Sequence, residues 1–315
     1  MGLNKKWVQV KVPASSANLG PGYDVLGIAL KLYNEVELTL QPRIHTRQPS
    51  VKIEISGEGV DTLPCDERNI VWASAKKVFN TYPYPLSAHH FYLKLTNRIP
   101  LSRGLGSSAA ARLAGTLIAN TLCKGFLSEK KILNLTAKME GHPDNVVPSL
   151  VGGLCVSSTS HGNVRYIRLD PPKDISAVIC IPDFELSTEK ARSVLPKRVL
   201  HSDAVYNVSR VTLLLAALVR RDYTYLKTAM EDKLHQNYRK KLIPGFDLVV
   251  KNGFKAGAFG ISLSGSGPSF FAFAPRSKAK VIGEEMKKGF LKSGYRARNI
   301  TLGFDSKGSE IRWRS

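Results

Sequence analysis

Pro100-Leu-Ser-Arg-Gly-Leu-Gly-Ser-Ser-Ala-Ala-Ala111 is the stretch on which the reading of this chain turns. Gly104 and Gly106 lead into Ser107 and Ser108, then into three alanines. Glycine permits tight bends and close approach of backbone to a ligand. Serine is a favoured helix N-cap and alanine the strongest helix former. The pattern predicts a glycine-rich loop feeding straight into a helix start, where unpaired N–H groups and the positive end of the helix dipole suit a phosphate. No Asp or Glu stands in the first turn, although acids are stabilised there. An anion from outside would explain that absence. A capped core helix behind a tight turn has the same composition, so the stretch alone leaves both readings open.

Working outward, Trp7–Val12 alternates apolar and polar residues and reads as a strand. It runs into Pro13–Asp24, rich in small and turn-forming residues, which reads as a long binding loop with Asn18 and Asp24 as its polar points. Tyr33–Leu40, Val51–Ser56 and Phe91–Thr96 read as strands, and Asn69–Tyr82 as a helix. Ala110, Leu113, Ala114, Leu117 and Ile118 form one stripe on the helix that starts near Ser107. A second helix starts at Ser128, and its last turn holds Glu140, directly before Gly141 and Pro143. A carboxylate at the negative end of a helix opposes the dipole by about 0.3–1 kcal/mol. A bound cation would reverse that sign; a hydrated surface glutamate is the plain alternative. A compact polar loop, Gly141-His-Pro-Asp-Asn145, follows.

The second half reads as strand Ile175–Ile181, helices Asp203–Arg220, Tyr223–Asp232 and one near Phe246, then a strand, glycine turn and strand around Ser262–Ser269. An amphipathic helix, Ser277–Ser293, and a closing strand, Ala297–Phe304, complete it. The mixture predicts an α+β protein in two domains, 1–160 and 161–315.

With 315 residues, 43% of them hydrophobic, the chain can bury a large core. Met1–Val12 is basic with no apolar stretch behind it, so no secretory leader is expected, and Lys6 breaks the myristoylation pattern. Val211–Val219 is far shorter than the about 20 residues a membrane span needs. Cys65, Cys123, Cys155 and Cys180 lack zinc spacing and read as reduced thiols, which points to the cytoplasm. The formal charge of +21 favours polyanions in general, but the basic residues are dispersed and no zinc-finger or RNP signature accompanies them, so nucleic acid is not the expected partner. There is no G-x-x-x-x-G-K-[S/T], no G-x-G-x-x-G after a suitable strand, and no H-R-D or D-F-G, which excludes P-loop, Rossmann and protein-kinase chemistry. Gly106–Ala110 lacks the final glycine of a nucleophile elbow.

Pro13–Asp24, Pro100–Ala111 and Ser264–Ser269 (S-G-S-G-P-S), in that order, resemble the three signature motifs of the GHMP small-molecule kinases. The first motif and Glu140–Asn145 are most similar to the homoserine kinase branch. The resemblance implies an N-terminal ribosomal-S5-like domain, a ferredoxin-like C-terminal domain, a homodimer, and ATP-dependent phosphorylation of the L-homoserine hydroxyl in threonine biosynthesis. It implies that Gly104, Leu105, Gly106, Ser107 and Ser108 wrap the ATP phosphates, with Pro100, Arg103 and Ala109 beside them, and that Ser107 and Glu140 hold Mg²⁺. Asn69 falls at the adenine, Asn18 and Asp24 at the acceptor hydroxyl, Asp144 at its amine, and Arg192 and Arg239 at its carboxylate. Asn145 stands where several GHMP relatives carry a basic Asp, and an amide cannot take a proton as a base. Asn18 and Asp24 could equally serve the loop as Asx turns, and Arg192 and Arg239 are two of 46 basic residues. His142 reads as a structural residue, with a minor role in the site left open. The alternatives are a GHMP kinase for a mevalonate- or shikimate-type acceptor, and a basic nucleic-acid-binding protein on this fold.

Overall fold

A computed structural model describes residues 7–42, 50–82 and 84–314. The leader and myristoylation expectations rest in part on residues 1–6, which lie outside them. The first half runs β1 (Trp7–Ala17), β2 (Leu26–Pro42), β3 (Ser50–Gly57), α1 (Ile70–Thr81), β4 (His89–Asn97), α2 (Ser107–Leu122), α3 (Glu129–Glu140), α4 (Val146–Val151), β5 (Leu154–Ser160) and β6 (Asn163–Leu169). The second runs β7 (Ile175–Pro182), α5 (Thr188–Ser193), α6 (His201–Arg220), α7 (Leu226–Ala229), α8 (Gln236–Arg239), α9 (Phe246–Lys255), β8 (Gly260–Leu263), β9 (Phe270–Pro275), α10 (Ala279–Leu291), β10 (Ala297–Leu302) and β11 (Glu310–Arg314).

Two sheets result. One has the order β11-β1-β2-β4-β3, with β5 pairing the far end of β2 and β6 pairing β5; the other is β10-β7-β9-β8. Period-two alternation assigns each face of the second sheet. Ile175, Ala177, Ile179, Ile181, Phe271 and Phe273 join the large core that includes the first sheet and α1 and α2. Val178, Cys180, Phe270, Ala272 and Ala274 face the opposite way, onto α9 and α10.

Three expectations are corrected. Pro13–Ala17 is not loop but the continuation of β1, paired with β2 as far as Ala17↔Gly27 after a register shift at Pro13/Ala14. Its small residues are buried because other backbone packs against them, a reason unrelated to turning. Tyr223–Asp232 is not one helix: a single 3₁₀ turn at Tyr223–Tyr225 and the short α7 precede a loop. In that loop the Asp232 carboxylate accepts the backbone N–H groups of Leu234, His235 and Gln236. The cut at 160/161 falls in the turn of the β5–β6 hairpin, and β11 pairs with β1, so 163–169 and 310–314 belong to the first sheet. The mixed exposure of β6 hides its membership from composition. We propose 170–174 as the junction between the domains.

By length and composition α6 is long and apolar enough to cross a membrane, although Val211–Val219 alone is not. It is docked on the fold through buried Leu214, Ala217 and Leu218, and through Asn207, whose amide donates to Pro21 O and Asp232 Oδ1.

Candidate active site

Loops from both halves converge at the start of α2. Gly104 and Gly106 hold φ near +71°, the left-handed region that side chains disfavour. A Cβ on Gly104 would lie 2.0 Å from Ser264 O, and one on Gly106 2.3 Å from Ser15 Oγ. The glycines are therefore required by conformation and by crowding at once. Gly106 caps α2 without a side chain, and the first turn holds no acid. The helix ladder begins at Ala110 N–H, which donates to Gly106 O, and among the described residues the Ser107, Ser108 and Ala109 amides have no acceptor.

Ser15 N–H donates to Leu105 O, and Ser15 Oγ to Asn145 Oδ1 at 2.9 Å. Ser16 and Ser264 share a hydroxyl hydrogen bond of 2.9 Å, and Ser264 Oγ donates to Gly104 O at 2.7 Å. Asn18 Nδ2 donates to Gly265 O at 2.8 Å, while its Oδ1 accepts Asp24 N–H. These contacts stitch the ends of β1, the glycine loop and the β8–β9 turn into the floor of one pocket.

The pocket is lined by Asn18, Asp24, Pro100, Arg103, Gly104, Leu105, Gly106, Ser107, Ser108, Glu140, Asp144, Asn145, Arg192 and Arg239, nearly the whole expected set. Ala109 is buried with Leu133, Ala137 and Val146, so only its backbone can serve. Asn69 is not brought in: it is buried as the N-cap of α1, its Oδ1 accepting Val71 N–H and its Nδ2 donating to Pro64 O. Arg103 reaches the pocket wall, but its guanidinium donates to Pro182 O and Asp183 O, tying the loop to the end of β7. Ser102, His142, Leu186, Thr188, Gly265 and Ser266 line the pocket without having been singled out as site residues. Of these, Gly265 and Ser266 lie inside the quoted Ser264–Ser269 motif, which was the signal available for them.

Glu140 has a partner that the local sequence hides. Oε2 accepts Arg112 Nε at 2.7 Å and Ser108 Oγ at 2.9 Å, so Arg112, one turn into α2, offsets the unfavourable end of α3. Oε1 has no hydrogen bond among the described residues. His142 Nδ1 lies 2.6 Å from Asp144 Oδ1. Burial alone would lower the His142 pKa, but the hydrogen bond and charge of Asp144, with the charge of Glu140, outweigh burial and raise it.

On the facing wall Arg239 is 1% exposed. Its Nε donates to Ala191 O, and Nη1 to Gly265 O and His235 Nδ1. His235 Nε2 sits 2.7 Å from Gly20 O, which assigns that nitrogen the proton and leaves Nδ1 as the acceptor. Complete burial holds the His235 pKa below its ordinary value, consistent with a neutral ring.

The amides at the start of α2, a carboxylate oxygen of Glu140 with no hydrogen bond among the described residues and the guanidinium groups of Arg192 and Arg239 thus come together in one pocket. Residues 69–153 match the GHMP kinases N terminal domain and residues 214–292 the GHMP kinases C terminal domain. The chain is 42% identical to the homoserine kinase of Carboxydothermus hydrogenoformans over 96% of both chains. This chain belongs to the homoserine kinase family of GHMP kinases. It is 39% identical to the homoserine kinase of Desulfitobacterium hafniense over 96% of this chain and 99% of that one. The crystal structure of homoserine kinase from Cytophaga hutchinsonii superposes with a TM-score of 0.85 at 33% identity, covering 99% of each chain. A GHMP kinase is an ATP-dependent phosphotransferase.

Proposed function

We propose that this protein phosphorylates the hydroxyl of L-homoserine with ATP, forming O-phospho-L-homoserine for threonine biosynthesis. The observation that carries this reading is the pairing of the start of α2 at Gly106–Ser108, where no acid stands in the first turn, with two guanidinium groups, Arg192 and Arg239, in one pocket. Phosphate belongs at the former and a planar carboxylate at the latter, because Arg donates in a fork. Asp144 then offers a carboxylate to the acceptor's ammonium, and Asn18 and Asp24 lie beside its hydroxyl.

Ser107 and Glu140 fit Mg²⁺: both are hard oxygen donors, Glu140 Oε1 has no protein partner among the described residues, and Mg²⁺ commonly takes one or two protein ligands with substrate phosphates. When bound, the ion supplies charge neutralisation for the phosphates. Phosphoryl transfer passes through a loose transition state and depends on positioning and charge more than covalent chemistry. Asn145 is held by Ser15 and is an amide, so it takes no proton. In this reading Asp24 polarises the hydroxyl and the proton passes to the phosphate itself. Were Asp24 a true base, Asp24→Asn would abolish turnover and remove the acidic limb of the rate–pH profile.

We further propose a cytoplasmic homodimer joined through α6. Val205, Val208 and Val219 on this helix are more than half exposed, and antiparallel pairing would set the Asp203 end of one helix against the Arg220 end of the other. ADP release measured with L-homoserine, mevalonate and shikimate tests the acceptor. Turnover with homoserine is expected; turnover only with another acceptor overturns the assignment.

A further inference from the structure

Arg192 and Arg239 face the same pocket but are not equivalent. Arg239 is held by Ala191 O, Gly265 O and His235, none of which an acceptor needs to displace. Arg192 is engaged with the site itself. Its Nη2 donates to Asp24 Oδ1 at 2.7 Å and its Nη1 to Asp24 Oδ2 at 3.0 Å, a two-point grip of one carboxylate. Nη1 also donates to the Tyr23 hydroxyl at 2.7 Å. The Tyr23 ring lies against both guanidinium groups, 5.5 Å from Arg192 and 5.3 Å from Arg239. A carboxylate entering here meets one arginine pre-set and one already paired with Asp24.

We propose that the Arg192–Asp24 pair is a substrate-released lock, which makes a carboxylate on the acceptor a condition for presenting its hydroxyl. The inference rests on the homoserine kinase reading. One fork of a guanidinium grips one carboxylate at a time. The acceptor's carboxylate replaces that of Asp24 at little net cost, because like is exchanged for like. Asp24 is then free to accept the acceptor's hydroxyl. An amino alcohol without a carboxylate has nothing to offer Arg192, so Asp24 stays occupied and discrimination appears in kcat as well as in KM. Tyr23 keeps Arg192 in place during the exchange by holding Nη1 from the side. Arg192 is thus a specificity residue acting partly through Asp24.

Two measurements test this. In the first, calorimetry follows butyrate, which has neither hydroxyl nor ammonium, binding to the protein and to Asp24→Asn. Removing the competing carboxylate is expected to tighten binding by about fivefold; equal or weaker binding overturns the lock. In the second, the unaltered enzyme phosphorylates 3-aminopropan-1-ol with and without formate, a carboxylate supplied separately. Formate is expected to raise kcat for this acceptor while competing with L-homoserine. Inhibition of both reactions, or no effect on the first, overturns the lock. Should Asp24→Asn fail to fold, the formate experiment decides alone. If L-homoserine itself is not phosphorylated the functional reading fails, and butyrate binding still reports on the pair.

Discussion

Gly106 has no spare volume: a Cβ would sit 2.3 Å from Ser15 Oγ and 3.0 Å from Asn145 Oδ1, in a backbone conformation that already disfavours one. Gly106→Ala is therefore expected to lower kcat/KM for ATP by about 100-fold or more, because displacement by an ångström at a reacting group is that costly; steady-state kinetics beside a melting curve checks it. His142 makes a second prediction. Its pKa is raised in the folded chain, so its charged pairing with Asp144 contributes stability that is fully present below the ordinary histidine value of about 6.5 and is lost as pH rises through the raised value. The Tm advantage over His142→Asn should accordingly shrink as pH is raised from about 6 to about 9. At this scale the sequence was legible where a residue's conformation depends on near neighbours, as with the tight turns at Gly104 and Gly106. It was opaque where a side chain is claimed from afar. Arg112 reaches Glu140 across 28 positions, and Arg103 is drawn off by carbonyls about 80 residues away.

At the scale of elements, Asn69 and Ser128 accept backbone N–H groups as the N-caps of α1 and α3, and the stripe Ala110, Leu113, Ala114, Leu117 and Ile118 of α2 is buried where the spacing placed it. Capping and amphipathic pattern are local properties, so sequence carries them. The second half of β1 was missed because burial on both faces removes the alternation that marks a strand, and the helix expected over Tyr223–Asp232 is shorter because Asp232 caps the loop that follows α7. The exposed valines of α6 lead to a further test. Val208→Asp places a charge on the proposed contact, which should convert the dimer to monomer in light scattering while Tm falls by only a few degrees, since the side chain is 61% exposed. A dimer that persists would move the contact elsewhere.

For the whole molecule, the +21 charge acts on encounter more than on fold. ATP is itself a polyanion, so kcat/KM for ATP should decrease about threefold between low and physiological ionic strength, with kcat nearly unchanged. Weak, salt-sensitive adhesion to nucleic acid without effect on turnover would share that cause. The domain count was legible from the alternation of strands and helices, but the return of β11 to β1 was not, because pairing across three hundred residues leaves no trace in either strand. That return has a consequence for synthesis. When β7 to β10 leave the ribosome, β1 already has β2 on one side, but its other side stays bare until residues 310–314 emerge. The first domain to be translated is thus among the last to close, and during that interval an unpaired strand edge, the usual starting point for aggregation, waits on the tail.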